Sequence, residues 1–252
     1  LAFKELIQPA IVLAERGFKL TQQQAEGLNE KRADFVKHNT TQPIFVKDGD
    51  WKKGDLLIQK DLAETLKRIR DNGQKGFYEG ETADLIVKEM ATDNGIITLE
   101  DLKKYEAKWR EPVSFNYKEY QIHSMAPPSS GGVALAQLLG SVEDYPIAKW
   151  GFQDVKTVHL IVEAERRTYA DRAKHLGDAD FYDVPTTQIT QKEYIKARMA
   201  DFDESQATKS DAIEGGEVTA ESEETTHLSV VDADGNAVSI TTTLNSSFGS
   251  KV

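Results

Sequence analysis

The sequence predicts an α+β chain, helices set around a sheet, and three observations carry that prediction. Apolar residues recur at helical spacing through most of the first two thirds. β-Branched and aromatic residues alternate at period two in the stretches 113–125 and 228–242. Between these regimes the character changes at 201–224, which holds nine acids, a Gly215-Gly216 pair and few large apolar residues.

Taken in order, Leu6, Ala10, Leu13 and Ala14 form a helical stripe, with Pro9 placed in a first turn and Gly17 as the stop. Residues 35–51 lack periodicity and carry the turn Lys47-Asp48-Gly49-Asp50, so a loop with short extended pieces is expected. A second helix spans 61–71 through Leu62, Leu66 and Ile69 and closes at Asn72-Gly73. A third spans 81–90 through Ala83, Ile86, Val87 and Met90, followed by an Asp93-Asn94-Gly95 turn. Thr98 with Asp101 reads as a capping box opening a helix to about Tyr105. These three amphipathic helices are expected to cover a sheet.

Val113, Phe115, Tyr117, Tyr120 and Ile122 alternate around Asn116 to Glu119, which predicts a hairpin. Pro127-Pro128-Ser129-Ser130-Gly131-Gly132 is then a loop feeding a helix from Val133 to about Leu139. Asp154 caps a long helix to about His175, with Val155, Val158, Val162 and Tyr169 expected inward. A loop rich in Asp and aromatics follows at 177–185, and then the acidic strip 201–224, expected to be a solvated, mobile linker. After it, Leu228 and Val230 lead into Ala233-Asp234-Gly235-Asn236, and Val238, Ile240 and Thr242 lead out, a second hairpin.

Composition bounds the chemistry. The 252 residues carry a net charge of −11 and no Cys, which excludes disulfides, thiolate nucleophiles, cysteine zinc sites and iron–sulfur clusters within them. No basic stripe is present to meet a phosphate backbone, so no nucleic-acid partner is expected. The apolar runs fall short of the roughly 20 residues that span a bilayer, and Leu1 to Ile7 lack a signal-peptide pattern. His123, His159 and His175 lack ligand spacing, and Asp171, Asp178, Asp180 and Asp183 do not follow a calcium loop, so no metal is expected. For those acids, helix capping and salt bridges to Arg166, Arg167 and Arg172 are the expectation. Trp51, Trp109 and Trp150 are read as core or interface residues.

One junction stands apart. An acidic strip gives way to Thr225-Thr226-His227 at the head of a core-patterned strand. A Thr hydroxyl needs an adjacent base, and the α-amino group of the same residue serves once that residue heads a chain. Such an amine titrates near 7.7–8.0, so part of it is free base at neutral pH. The plainer reading is that Thr225 and Thr226 are β-branched residues opening a strand. His227 reads as a structural strand histidine.

Residues 225–249, from Thr225-Thr226-His227-Leu228 through Asp234-Gly235-Asn236 to Asn245-Ser246-Ser247-Phe248-Gly249, resemble the start of the small subunit of γ-glutamyltransferases. Three stretches resemble the large subunit of that family in the same order: Gln8 to Ala14 with Gly17-Phe18, Pro127 to Gly132, and Tyr169-Ala170-Asp171-Arg172 with Leu176 to Phe181. The resemblance implies an N-terminal-nucleophile hydrolase, an αββα sandwich present here only in part. It implies that residues 1–224 are a large-subunit segment, with 201–224 the processing linker, and that 225–252 begin a small subunit. Glu224-Thr225 would be the bond that the precursor cuts by itself. Thr225 would be the nucleophile, Thr243 its supporting hydroxyl, and Asn245 a holder of the α-amino and α-carboxylate end of the γ-glutamyl group. Glutathione or another γ-glutamyl compound would be the donor, and water or an amino acid or peptide the acceptor. Large and small subunits would pair as a heterodimer without cofactor, in the periplasm or medium.

The family's carboxylate-gripping Arg falls before Leu1, and its acidic residue, paired serines and oxyanion-hole glycines fall after Val252, so the chain is expected to be an interior piece. Gly131-Gly132 precedes the nucleophile and is not that glycine pair. Two other readings stand beside the first: a related acylase acting on glutaryl β-lactams or poly-γ-glutamate, and a non-processing homologue with a binding or structural role.

Overall fold

A computed structural model describes residues 1–92, 94–214, 225–244 and 247–251; for Thr225 it is the backbone pairing that is described. The chain divides into two compact units, Leu1–Ala107 with Ser222–Val252, and Lys108–Glu221. Helices and short strands alternate, and the α+β class predicted from periodicity holds.

The first unit opens with α1 (Phe3–Arg16), β1 (Phe18–Lys19), α2 (Gln22–Glu30) and α3 (Arg32–His38). It continues through β2 (Leu56–Leu57), α4 (Lys60–Asn72), α5 (Lys75–Tyr78), α6 (Glu81–Met90) and α7 (Leu99–Lys104). Gly17 turns α1 into β1 at φ 80°, and a Cβ there would meet Leu57 O and the Ile58 side chain at 2.7 Å, so only glycine fits. β1 then pairs antiparallel with β2. The core gathers Leu20, Ala25, Leu28, Phe35 and Leu57, with Phe45 and Trp51 against it. Trp51 donates its indole N–H to Phe45 O at 2.7 Å, which lets the polar tip of a large ring pack without an unmet donor.

The second unit contains β3 (Val113–Tyr117), β4 (Tyr120–Ser124), α8 (Gly131–Val142), α9 (Ile147–Trp150) and α10 (Val155–His175). α11 (Thr186–Ile189) and α12 (Lys192–Arg198) follow, with a 3-10 turn at Ser210–Ala212. The expectation of a solvated linker from residue 201 onward fails for its first part, since Thr208 N donates to Glu163 Oε1 at 2.9 Å. The hairpin β3–β4 turns at Lys118-Glu119, as its alternation predicts. α8 packs on this hairpin, on α10 and on α12. Its Gly132 is required: a Cβ would lie 2.2 Å from Met125 O. Two cores result, one of Val113, Val133 and Ile189, the other of Val142, Leu160, Ala164 and Met199.

Last come β5 (Thr225–Val231) and β6 (Ala237–Thr243), an antiparallel pair. The described strands form three two-stranded sheets.

The structure corrects several expectations. Pro9 lies in the interior of α1, not its first turn, because the helix starts at Phe3. The inward face of α1 is Ile11 and Ala14, while Leu6 and Leu13 are more than half exposed. α1 packs on α4, so that face is chosen by the partner helix rather than by the larger side chains. Phe35 to His38 belong to α3 rather than to a loop. α4, α6 and α7 cover no sheet among the described residues; α4 packs on α1 and α5, and α6 on α5 and α7. α8 starts at Gly131 and runs to Val142, so the glycine pair is its first turn. Asp154 does cap α10, accepting from Lys156 N at 2.9 Å, yet Val155 is 82% exposed and Val158, Val162 and Tyr169 face outward as well. The buried face of α10 is Leu160, Glu163, Ala164, Arg167, Thr168, Ala170 and Asp171. Trp109 is fully exposed, whereas Trp51 and Trp150 pack on cores as expected.

Candidate active site

The register of β5–β6 sets Thr225 opposite Thr243, Thr226 opposite Thr242 and His227 opposite Thr241. Alternation then puts positions 227 and 229 with 239 and 241 on one face, and 228 and 230 with 238 and 240 on the other. One face is built of hydroxyls and an imidazole. The other is apolar: Leu228, Val230, Val238 and Ile240, each about half exposed.

On the polar face His227 Nδ1 lies 2.8 Å from Thr241 Oγ1, and its Nε2 lies 3.0 Å from Ser229 Oγ and 3.2 Å from Ser239 Oγ. A ring held at both nitrogens is fixed in orientation, which fits a strand-bracing histidine. The turn is locked by Asp232, whose carboxylate accepts from Asp234 N, Asn236 N and Asn236 Nδ2 at 2.8 to 3.0 Å. Those bonds, led by that from Asn236, hold the Asp232 carboxyl below the ordinary carboxylate range. A two-strand ladder closed by so specific a turn allows a single register.

Of the residues predicted for the site, Thr225 and Thr243 are brought directly opposite each other. Asn245 and Glu224 lie outside the described residues. Just beyond Asn245, Phe248 packs edge-on against Phe35 and tilted against Phe45, with ring centroids 5.2 and 5.9 Å apart. Asn39 Nδ2 donates to Lys251 O at 2.6 Å, so the chain leaving the hairpin is tied to the first unit's core. A groove of about 670 Å³ lies there, walled by Phe18, Leu20, Leu28, Phe45 and Phe248. Sequence reasoning missed this anchor; Phe248 carries no periodic signal, since it follows a strand as a lone aromatic.

It also missed a buried ionic cluster in the second unit. Arg167 donates through Nη1 to Glu163 Oε2 at 2.8 Å and through Nη2 to Asp201 Oδ1 at 2.7 Å. Glu163 is 0% and Arg167 3% exposed. Burial raises the Glu163 carboxyl, but hydrogen bonds from Thr208 and Arg167 outweigh it and leave the group below its ordinary value. At i and i+4 the pair looks in sequence like any solvated surface bridge. Asp171 pairs with Arg198 at 3.0 Å, and Asp180 with Lys108 and Arg110 at 2.8 and 3.0 Å, partners other than the arginines expected. Among the described residues no group of three or more His, Asp or Glu side chains is placed to hold a metal ion.

Known proteins resemble this chain throughout its length. It is 41% identical over 251 residues to the glutathione hydrolase proenzyme of Escherichia coli K12, covering 98% of this chain and 43% of that protein. The crystal structure of Helicobacter pylori gamma-glutamyltranspeptidase superposes with a TM-score of 0.80 at 44% identity, over 84% of this chain and 61% of that one. The cephalosporin acylase of Bacillus halodurans superposes with a TM-score of 0.82 at 28% identity, over 97% of this chain and 44% of that one. These structures are N-terminal-nucleophile hydrolases, the fold class that the hairpin and helices here represent in part. The chain spans less than half the length of the curated relatives it matches. The gamma-glutamyltranspeptidase family model matches residues 1–252, and the chain belongs to that family.

Proposed function

We propose that the protein containing this chain transfers or hydrolyses γ-glutamyl groups of glutathione or related compounds through a Thr225 ester. The observation that carries the reading is the register that sets Thr225, the first residue of β5, directly opposite Thr243. The match to glutathione hydrolase proenzymes along the whole chain supports it.

The precursor cuts itself first. Thr225 Oγ attacks the Glu224 carbonyl, the C–N bond breaks, and the amide nitrogen takes a proton to become the Thr225 amine. Water then hydrolyses the resulting ester, leaving a Glu224 carboxylate and a free Thr225 hydroxyl. That divides residues 1–224, the large-subunit segment with its 201–224 linker, from 225–252, the start of the small subunit, and the two remain paired. The boundary is a matter of cleavage rather than packing.

In turnover the Thr225 amine takes the hydroxyl proton as Oγ attacks the γ-carbonyl, and the leaving amine departs protonated. Water or an acceptor amine resolves the ester. Thr243, across the ladder, supports the nucleophile, and Asn245 holds the α-amino and α-carboxylate end of the donor. No cofactor takes part. Among the described residues no helix is long and apolar enough to cross a membrane, and we place the protein in the periplasm or medium.

Thr225→Ala in the full-length precursor is expected to abolish both subunit formation and release of a γ-glutamyl anilide. Retained turnover would overturn the assignment. The likeness to a cephalosporin acylase favours one second reading, cleavage of glutaryl side chains. Relative rates on γ-glutamyl and glutaryl anilides separate the two, since only the former offers an α-amino group to Asn245.

A further inference from the structure

Thr225 and Thr243 form the end rung of the β5–β6 ladder, the rung farthest from the turn that closes it. β6 is exposed along its length, and among the described residues β5 and β6 pack chiefly on each other. An end rung opens more readily than an inner one, so the alignment of positions 225 and 243 depends on what ties the strands nearby.

Alternation places Thr225 and Thr243 on the same face as His227 and Thr241, the pair two residues further along, roughly 7 Å away. There His227 grips β6 at two positions. Its Nδ1 lies 2.8 Å from Thr241 Oγ1, and its Nε2 lies 3.2 Å from Ser239 Oγ. Nε2 also meets Ser229 Oγ of its own strand at 3.0 Å. Two grips on one strand oppose sliding and twisting as well as separation. Each hydroxyl can donate or accept, so the brace holds whichever ring nitrogen carries the proton. Strand propensity does not account for the residue: β-branched side chains fill the facing and preceding positions, and histidine is not among the favoured strand formers.

We infer that His227, acting through Thr241, is a positioning residue for Thr225: it holds the end rung in line, so that position 225 stays in register with position 243. The inference rests on Thr225 being the nucleophile, as proposed above. Self-cleavage and turnover use the same hydroxyl, so both depend on the brace. Misplacing a reacting group by about 1 Å costs up to about a hundred-fold in rate. His227 itself moves no proton, since the Thr225 amine is the base.

The test uses the full-length precursor, with the rate of subunit formation on a denaturing gel beside kcat and KM on a γ-glutamyl anilide per processed enzyme. His227→Phe keeps a flat ring and good strand propensity without a hydrogen bond, and Thr241→Val keeps the shape of Thr without its hydroxyl. Both side chains are exposed, so the fold stands. Each variant is expected to lower kcat and the cleavage rate about ten-fold, with KM changed by less than about two-fold. The double variant is expected to lose no more than the worse single, because both cut the same link. His227→Asn, whose amide can reach Thr241, and Thr241→Ser are expected to recover most of the rate. His227→Asn is also expected to keep the acidic limb of the kcat/KM pH profile, which belongs to the Thr225 amine. Wild-type kcat in both His227→Phe and Thr241→Val would overturn the inference, as would fully additive losses in the double variant. Loss of the acidic limb in His227→Asn would overturn it too, by making the imidazole an acid–base group. Turnover persisting in a Thr225→Ala control would strike the assignment of the nucleophile instead.

Discussion

The β5–β6 hairpin and the buried face of α10 are built in opposite ways. In the hairpin every contact is local: strands pair across a turn closed by Asp232, and hydroxyls brace His227 from the neighbouring strand. On α10 the decisive contacts are with chain 31 to 45 residues away, and the charged side chains go in while the valines stay out. The difference teaches that polarity predicts burial only where no partner competes. A carboxylate that meets a guanidinium and an amide N–H can be enclosed, and a valine without a facing surface cannot.

The largest expected effect breaks the α10 side. Arg167→Ala strands Glu163 in the interior, and the loss of stability is expected to be about 3–5 kcal/mol. Urea unfolding followed by tryptophan fluorescence measures it, and a change below about 1 kcal/mol would mean that water reaches Glu163.

Next in size is Gly132→Ala, where the added methyl must displace the Met125 carbonyl. A cost of about 1–3 kcal/mol is expected, as for overpacking elsewhere. An unchanged melting temperature would show that α8 and β4 separate easily.

Asp232→Ala probes the hairpin. Loss of three hydrogen bonds at the turn should speed amide exchange of β5 and β6 while leaving that of α10 untouched. Equal acceleration in both regions would deny the hairpin its independence.

The smallest effect is electrostatic. Hydrogen bonds from Arg110 and Lys108 pull the Asp180 carboxyl down to about 2 from its ordinary 3.8. The native group binds its proton less readily than the unfolded one, so its contribution is present above pH ~4 and disappears as pH falls toward 2. The site is solvent-exposed and screened by salt, so the slope should be shallow and should flatten in Asp180→Asn. An identical acid profile for the variant would remove Asp180 from the account.

Much of this was legible beforehand. The hairpin, its turn, the capping box at Thr98 and Asp101, and the span of α10 all follow from short-range rules. The facing of Thr225 and Thr243 does not, because it depends on the loop 232–236, one residue longer than the turn Ala233 to Asn236 read from the sequence. The α2 helix escaped reading, although Thr21 and Gln24 form a capping box there, because few apolar residues mark its inner face.

The sequence by itself determined the two hairpins, the helices with a clear apolar period or capping box, and that no thiol takes part. These depend on residues within a few positions of one another. Only the tertiary structure decided which face of α1 and α10 turns inward, that Phe248 anchors the chain after the hairpin, and that Glu163 and Arg167 hold the strip at Asp201 and Thr208. A helix of period 3.6 offers several candidate faces, and the choice among them belongs to whatever packs against it.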